Sequence, residues 1–501
     1  MKKKKVLIIV MINVLLILSI VGISYALWTL NLTQTGENDI ASTCFNISFT
    51  EKDNISLQKS YPLYDADGKK LTPYEFTITN NCDSYTSYAV NLEVLNTTTL
   101  TNNDAIKIML SKAKNGAESE LKLDLLSNYE TVTKTLNNAT TAFKLIEGYL
   151  EAKESRTYDL RVWLDENVTT ETVNIQNTTF NSKVVVTANY VKEIPYATNV
   201  ISELAKDADS SSTDVYTVPD KTSDSCTYTL AYDGTSDNNL RYVGANPCNY
   251  VTFNNEKAGW RIIGILKTIR NGQRIKLIRT NSIGKLPWDY TSGNSFSNNW
   301  ETSSLQVLLN SGAYYNRTTG QSYNGSSTAT ALDFTSNGLT EEAKNQIDTV
   351  AWRLGSTDSY TNSSNGLASH WYDYERSVKV YGANHLEWYG KVGLMFISDY
   401  GYATSGGTNL NRASCLSKEL YNWDGESDCN FNDWLYTGDY QRTLNINSAR
   451  SWIVFDVSKT RAVTISNVTS AESVRPSVYL NLKNIIISGE GTPENPYELS
   501  L

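Results

Sequence analysis

Histidine is almost missing: His370 and His385 are the two in a chain of 501 residues. Imidazole is the side chain that most readily titrates near neutral pH and the commonest metal ligand, so general-base and metal chemistry begin with few candidates. Asp373, Glu375 and Glu387 lie near the two histidines, but the spacing makes no compact helical metal motif and pins no third ligand. There is no Gly-x-Ser-x-Gly elbow and no phosphate-binding loop, which removes the usual signatures of serine hydrolases and nucleotide binders. No two cysteines have Cys-x-x-Cys spacing, which argues against dithiol redox catalysis and a thiolate zinc site. Positive charge is short as well, with 44 Lys plus Arg against 53 Asp plus Glu. Without a basic stripe, nucleic acid is excluded as a partner, because phosphate binding needs a cationic footprint. A Leu-Pro-x-Thr-Gly sorting sequence is also lacking, so covalent attachment to a bacterial wall is not expected.

What is present begins with a leader. Lys2, Lys3, Lys4 and Lys5 precede an apolar run from Val6 to Ile23, broken only by Asn13, Ser19 and Gly22. Small residues follow at Ser24 and Ala26, flanking Tyr25, which is the order of a signal peptide cut after Ala26. As a helix rising 1.5 Å per residue, the 18-residue run nearly crosses a hydrocarbon layer roughly 30 Å thick, so an uncleaved anchor is the alternative. Residues 1–26 are therefore a signal peptide or membrane anchor. Either way the lysines hold the amino end inside, and the rest of the chain lies outside the cytoplasm of a bacterium. Without the four lysines the formal charge moves from -9 to -13, 40 cations minus 53 anions.

Six cysteines in an oxidising compartment read as a disulfide framework. They fall into three local groups, so Cys44–Cys82, Cys226–Cys248 and Cys415–Cys429 is the simplest pairing. Asn-x-Ser/Thr sequences at Asn46, Asn96, Asn177 and Asn467 are what chance gives in an Asn-rich chain.

Roughly 475 residues after the leader exceed one ordinary core, so at least two domains are expected. Residues 27–194 read as an antiparallel β-sandwich or jelly roll. Period-two alternation over 74–79, 88–94, 158–164 and 183–190 marks strands. Residues 65–68 read as a hairpin turn, and 120–152 as one or two short helices. Residues 195–225, rich in Ser, Asp and Thr, read as a linker. Residues 226–482 read as an α+β domain, with strands at 260–266 and 273–279 joined through Asn271-Gly272. Helices are expected at 303–310 and 340–351, and strands at 392–398, 451–457 and 473–480. Residues 483–501 form a turn-rich tail. The fold class is thus mainly β with a carboxy-terminal α+β domain.

The richest chemistry lies between residues 370 and 434. Asp424, Glu426, Asp428 and Asp433 place hard oxygens in one disulfide-constrained loop, a candidate calcium site that lacks EF-hand spacing. Trp371, Tyr372 and Trp423, with Asp424, Asp428 and Asn430, are candidate ligand contacts: rings stack on sugars or anchor proteins while Asp and Asn hydrogen-bond. Tyr374, Tyr381 and Tyr389 add to this aromatic set. Trp388 and Trp434 are read as core beneath those loops. A pair such as Glu375 and Glu387 is the residue set a glycan or peptidoglycan hydrolase would need, at roughly 5 to 9.5 Å separation.

Two resemblances add to this. The start Gly22-Ile23-Ser24-Tyr25-Ala26-Leu27-Trp28, with the strand ending at Tyr190, resembles the biofilm-fibre and camelysin-type exported proteins of Gram-positive bacteria. That resemblance implies a jelly roll and, for some members, assembly into fibres. Camelysin's protease activity does not carry over, since no His-Glu-x-x-His occurs. The second domain resembles an uncharacterised bacterial extracytoplasmic module related to the C-type-lectin-like and formylglycine-generating-enzyme fold. Trp260-Arg261-Ile262-Ile263, then residues 300–305 with Leu309-Asn310, then residues 474–480 carry that resemblance. Trp423-Asp424 before Cys429 is similar to the calcium and sugar loop of C-type lectins, although the later lectin cysteine and the oxidase's catalytic cysteines are missing. The reading is a non-enzymatic surface or matrix protein whose distal domain binds an extracellular protein or glycan. The alternatives are a self-associating subunit of a surface fibre and an exported hydrolase.

Overall fold

The computed structural model describes residues 29–32, 45–48 and 61–500, apart from 101, 115–116, 134, 136–137, 169–177, 291–295, 324–327, 359–365 and 377–386. The leader at 1–26 lies outside these residues. Among the described residues no helix is long and apolar enough to cross a membrane. The fold is mixed α/β, dominated by antiparallel sheets, and divides into two compact units at residues 1–194 and 195–501.

The first unit is sandwich-like. Its strands are β1 (Thr29–Leu32), β2 (Phe45–Ser48), β3 (Tyr74–Asn80), β4 (Tyr85–Leu95), β5 (Ile106–Lys114), β6 (Ala117–Leu125), β7 (Thr131–Val132), β8 (Ala139–Leu150), β9 (Ser155–Leu164) and β10 (Thr179–Val191). One sheet runs β1-β10-β4-β8-β7 and the other β2-β3-β9-β5-β6. Alternation drives this arrangement: in β3 the alternate residues Tyr74, Phe76 and Ile78 lie in a shared core with Val90 and Leu92 of β4, Leu160 of β9 and Val184 of β10. Each such side chain contributes roughly 1.5–3 kcal/mol of burial. Of the one or two short helices expected over 120–152 there is a single 3-10 turn, Leu126–Asn128; most of the segment is instead β6, β7 and β8. The pairing of β6 with β5 and of β8 with β4 gives these residues ladder partners that helical propensity cannot match. Residues 65–68 form one helical turn rather than a hairpin, because the Tyr64 carbonyl accepts from both the Asp67 and Gly68 N–H groups. Gly68 lies flat on Trp163, where a Cβ would come within 2.3 Å of the indole.

In the second unit a ten-stranded sheet centres on Glu256–Lys267, which pairs with Leu240–Tyr242, Tyr250–Phe253 and Gln273–Arg279. Gly272 takes φ +74° in the turn before Gln273, as an Asn-Gly connection requires. The segment expected as a linker is folded: Ala197–Leu204 is a helix that buries Ala197 and Ile201, and the Pro195 carbonyl accepts from Ile486. Its polar residues occupy the outer face, which composition alone reads as unstructured. The expected tail likewise supplies strands Ile485–Ser488 and Tyr497–Ser500, the latter parallel to Tyr250–Phe253. Helices form at Ser304–Asn310, capped by Ser303, and at Glu341–Gln346, where Thr340 Oγ1 accepts from the Ala343 N–H. The second of these stops early because Val350–Arg353 pairs as a strand with Glu387–Gly390. Residues 392–398 are not one strand: only Val392–Gly393 pairs, and the chain turns into the helix Ile397–Tyr402. Indoles fill the interior, with Trp288, Trp300 and Trp388 in contact at ring separations of 4.8 and 6.1 Å.

Candidate functional site

Two constellations in the second unit carry chemistry. The first is a buried ionic cluster. Arg241 bridges two carboxylates, with Nε 2.9 Å from Asp233 Oδ2 and Nη1 3.0 Å from Asp399 Oδ1. Lys276, in the strand Gln273–Arg279, donates to Asp399 Oδ2 at 2.5 Å. The rings of Phe396, Trp352 and Tyr479 surround this ammonium at 4.3, 5.3 and 5.3 Å. Burial opposes ionisation of Asp399, but the two cations beside it outweigh burial and hold the carboxyl below its ordinary value. Burial pulls Lys276 below its ordinary value, and the Asp399 carboxylate opposes that shift. Glu375 is fully enclosed, and burial, helped by Asp399, pushes its carboxyl up to about 7. It accepts from the Ser398 N–H, the Ser398 hydroxyl and Asn445 Nδ2. A cavity of about 20 Å³ lies among Arg241, Glu375, Arg376, Ser398, Asp399 and Tyr479, room for about one water and too little for a sugar ring.

The helix Ala368–Arg376 explains why Trp371 and Tyr372 are not on a ligand surface. Ala368, Trp371, Tyr372 and Glu375 occur at helical spacing and face inward. Trp371 has no exposed surface and meets Phe455 edge-on at 4.9 Å. Tyr372 is buried too, with its hydroxyl donating to Asp237 Oδ2 and accepting from Asn239 and Arg376. His370 lies half-buried near the start of this helix, with Nδ1 accepting from the Leu367 N–H, whereas His385 and Tyr381 lie outside the described residues. Glu387 is tied to Arg270 and Arg353, a set of partners separate from those of Glu375. Trp388 and Trp434 are buried.

The second constellation is the disulfide loop. Cys226–Cys248 and Cys415–Cys429 are both formed, with Cα separations of 5.1 and 5.4 Å. Cys82 is also disulfide-bonded; Cys44, its expected partner, lies outside the described residues. Within this loop Trp423 is core, fully buried against Tyr400 at 5.4 Å, instead of a ligand contact. The four acids do not converge on one cation. Asp424 is exposed, Glu426 pairs with Lys418, and Asp428 accepts from the Asn409 and Leu410 N–H groups at 2.6 and 2.7 Å. Asp433 is buried, accepts from the Leu435 N–H, and is pushed well up by burial. Asn430 is buried too, donating to the Trp423 carbonyl and accepting from Arg461 Nη1 at 3.1 Å.

Beside Asn430 is a feature that the sequence reading did not single out. Phe431 is 62% exposed, and the Arg461 guanidinium lies 3.5 Å over its ring and 4.5 Å from that of Tyr436. Arg461 has φ +72°, a left-handed conformation that non-glycine residues seldom adopt, in a turn closed by Ser458 and Ala462. The signal for Phe431 was the polar run around it, Cys429-Asn430-Phe431-Asn432-Asp433, in which an apolar ring has no periodic partner. Lys276 was detectable as a lone charge between Ile275 and Leu277-Ile278.

In the first unit, Asp65, Asp165 and Glu166 each offer an oxygen within 4.8 Å of the others, a set that could coordinate a divalent cation such as calcium. Lys107 already places its ammonium 3.1 Å from Asp165 and 3.4 Å from Asp65, supplying positive charge there.

No protein-family model matches the chain, and no curated protein does. One solved structure, titled "AvmM Catalyzes Macrocyclization in Alchivemycin A Biosynthesis", is similar over 24% of this chain and 80% of its own at 13% identity. Its TM-score of 0.14 is too low to carry an argument.

Proposed function

We propose that this chain is an exported bacterial surface or matrix protein, whose second unit binds an extracellular protein or glycan through the Phe431–Arg461–Tyr436 stack. The observation that carries this reading is the large ring of Phe431, 62% exposed beneath a guanidinium that Asn430 holds in place. An exposed aromatic and a pre-positioned arginine are the residue types that dominate binding energy at recognition surfaces. Prior ordering also lowers the entropy cost of association. The formed disulfides suit an oxidising location, in keeping with a leader that exports the chain or anchors it. On this reading the first unit is a jelly-roll module near the membrane or in an assembly, and the second is a lectin-like display module. Binding, not turnover, is the activity proposed.

The test is an array of extracellular matrix proteins and glycans probed with wild type and Phe431→Ala. Saturable binding by wild type, lost in a folded Phe431→Ala, is the expected result. Concentration-dependent fibres under the microscope with no array binding would overturn it in favour of a structural subunit.

A further inference from the structure

We propose that Lys276 and Asp399 condense to an intramolecular amide, a self-formed covalent cross-link between the strand Gln273–Arg279 and the helix Ile397–Tyr402. Nζ of Lys276 lies 2.5 Å from Asp399 Oδ2, and both side chains are sealed from solvent, at 0% and 2% exposure. Reacting groups held this close and dry have already met the orientation cost of a bimolecular step. The rings of Trp352, Phe396 and Tyr479 enclose the amine, so no bulk water competes for the carboxyl carbon. Arg241 Nη1 donates to the other oxygen, Oδ1, at 3.0 Å, where negative charge gathers in a tetrahedral adduct. The Phe396 N–H donates to Oδ2 at 2.8 Å, which supports that oxygen as it leaves.

The step balances without an oxidant or cofactor. The Lys276 ammonium gives one proton to Asp399 Oδ2, which it already touches at 2.5 Å, and the free amine adds to the carbon of the neutral carboxyl so formed. The second ammonium proton is then carried by Glu375, in the cavity it shares with Asp399, to Oδ2, which departs as water. One N–C bond forms, one C–O bond breaks, and an ammonium and a carboxylate become an amide and water. The cavity that Glu375 shares with Asp399 and Arg241 has room for the released molecule. Charge also stays matched: removing Lys276 and Asp399 together leaves Arg241 with Asp233 and Arg376 with Asp237. The covalent tie would join residues 123 positions apart.

Peptide mapping of the reduced, full-length chain tests this. Trypsin should yield residues 275–279 joined to residues 392–412, one water lighter than the two peptides together, with no cleavage after Lys276. Separate peptides and cleavage after Lys276 in wild type would overturn the proposal without any need for a variant. Glu375→Gln, shown folded by circular dichroism, should lower the linked fraction by about tenfold or more, the scale of a lost proton carrier. An undiminished linked fraction in that variant would overturn the role given to Glu375.

Discussion

Replacing Trp423 with alanine should unfold the second unit far more readily than replacing Phe431, although the two residues are eight positions apart in one loop. Trp423 has no exposed surface, touches Tyr400, and its backbone carbonyl accepts from Asn430. Removing its indole loses the transfer energy of the ring and leaves a cavity that the Cys415–Cys429 loop is too constrained to fill. Truncations of that kind cost about 3–5 kcal/mol. Phe431 keeps most of its ring in water, so its truncation should cost less than about 1 kcal/mol. Urea denaturation followed by near-ultraviolet circular dichroism measures both. A Trp423→Ala variant within about 0.5 kcal/mol of wild type would show the ring to be a surface contact and not core.

Glu375 should make the second unit less stable as pH rises. Its folded-state carboxyl, at about 7, lies above the ordinary 4.5, so the unfolded chain ionises first between those values, and up to roughly 3 kcal/mol is lost across that window. Glu375→Gln should flatten that part of the pH profile, and an unchanged slope would show that other groups cause it. Replacing Cys226 and Cys248 together with alanine should lower stability by about 3 kcal/mol, as loop-closure entropy gives for a separation of 22 residues. A melting curve that does not move would refute that figure. Gly68→Ala should destabilise the first unit by about 1–3 kcal/mol through its clash with Trp163, measured as a lower melting temperature.

Much of the strand content was legible because alternation is a local signal. The inward positions of β3 and β9 are the same residues whose apolar pattern marks them in the sequence. The strands that occupy most of 120–152, where short helices are expected, show the limit of that reading, since β6 depends on its ladder with β5, a partner that no local window contains. Composition alone reads 195–225 as a linker and 483–501 as a turn-rich tail, yet Pro195 and Ile486 bond to each other across nearly the whole second unit, a contact invisible to either segment alone. At the site, an aromatic-rich run reads equally as surface or core. Helical spacing of Ala368, Trp371, Tyr372 and Glu375 was available to settle two of the rings, but the interleaved Ser369, His370, Asp373 and Tyr374 hid it. The Lys276–Asp399 pair could not be foreseen, because strand and helix bring together residues 123 apart.

The claim that the Phe431–Arg461–Tyr436 face is the recognition surface is tested most directly by solution affinity. The dissociation constant for the strongest array ligand would be measured by calorimetry for wild type, Phe431→Ala and Trp452→Ala. Trp452 is a second exposed ring, at 50%, and serves as the control. Phe431→Ala should weaken binding by about tenfold or more, the scale of a hot-spot residue, with little change in Trp452→Ala. Equal constants for wild type and Phe431→Ala would contradict it.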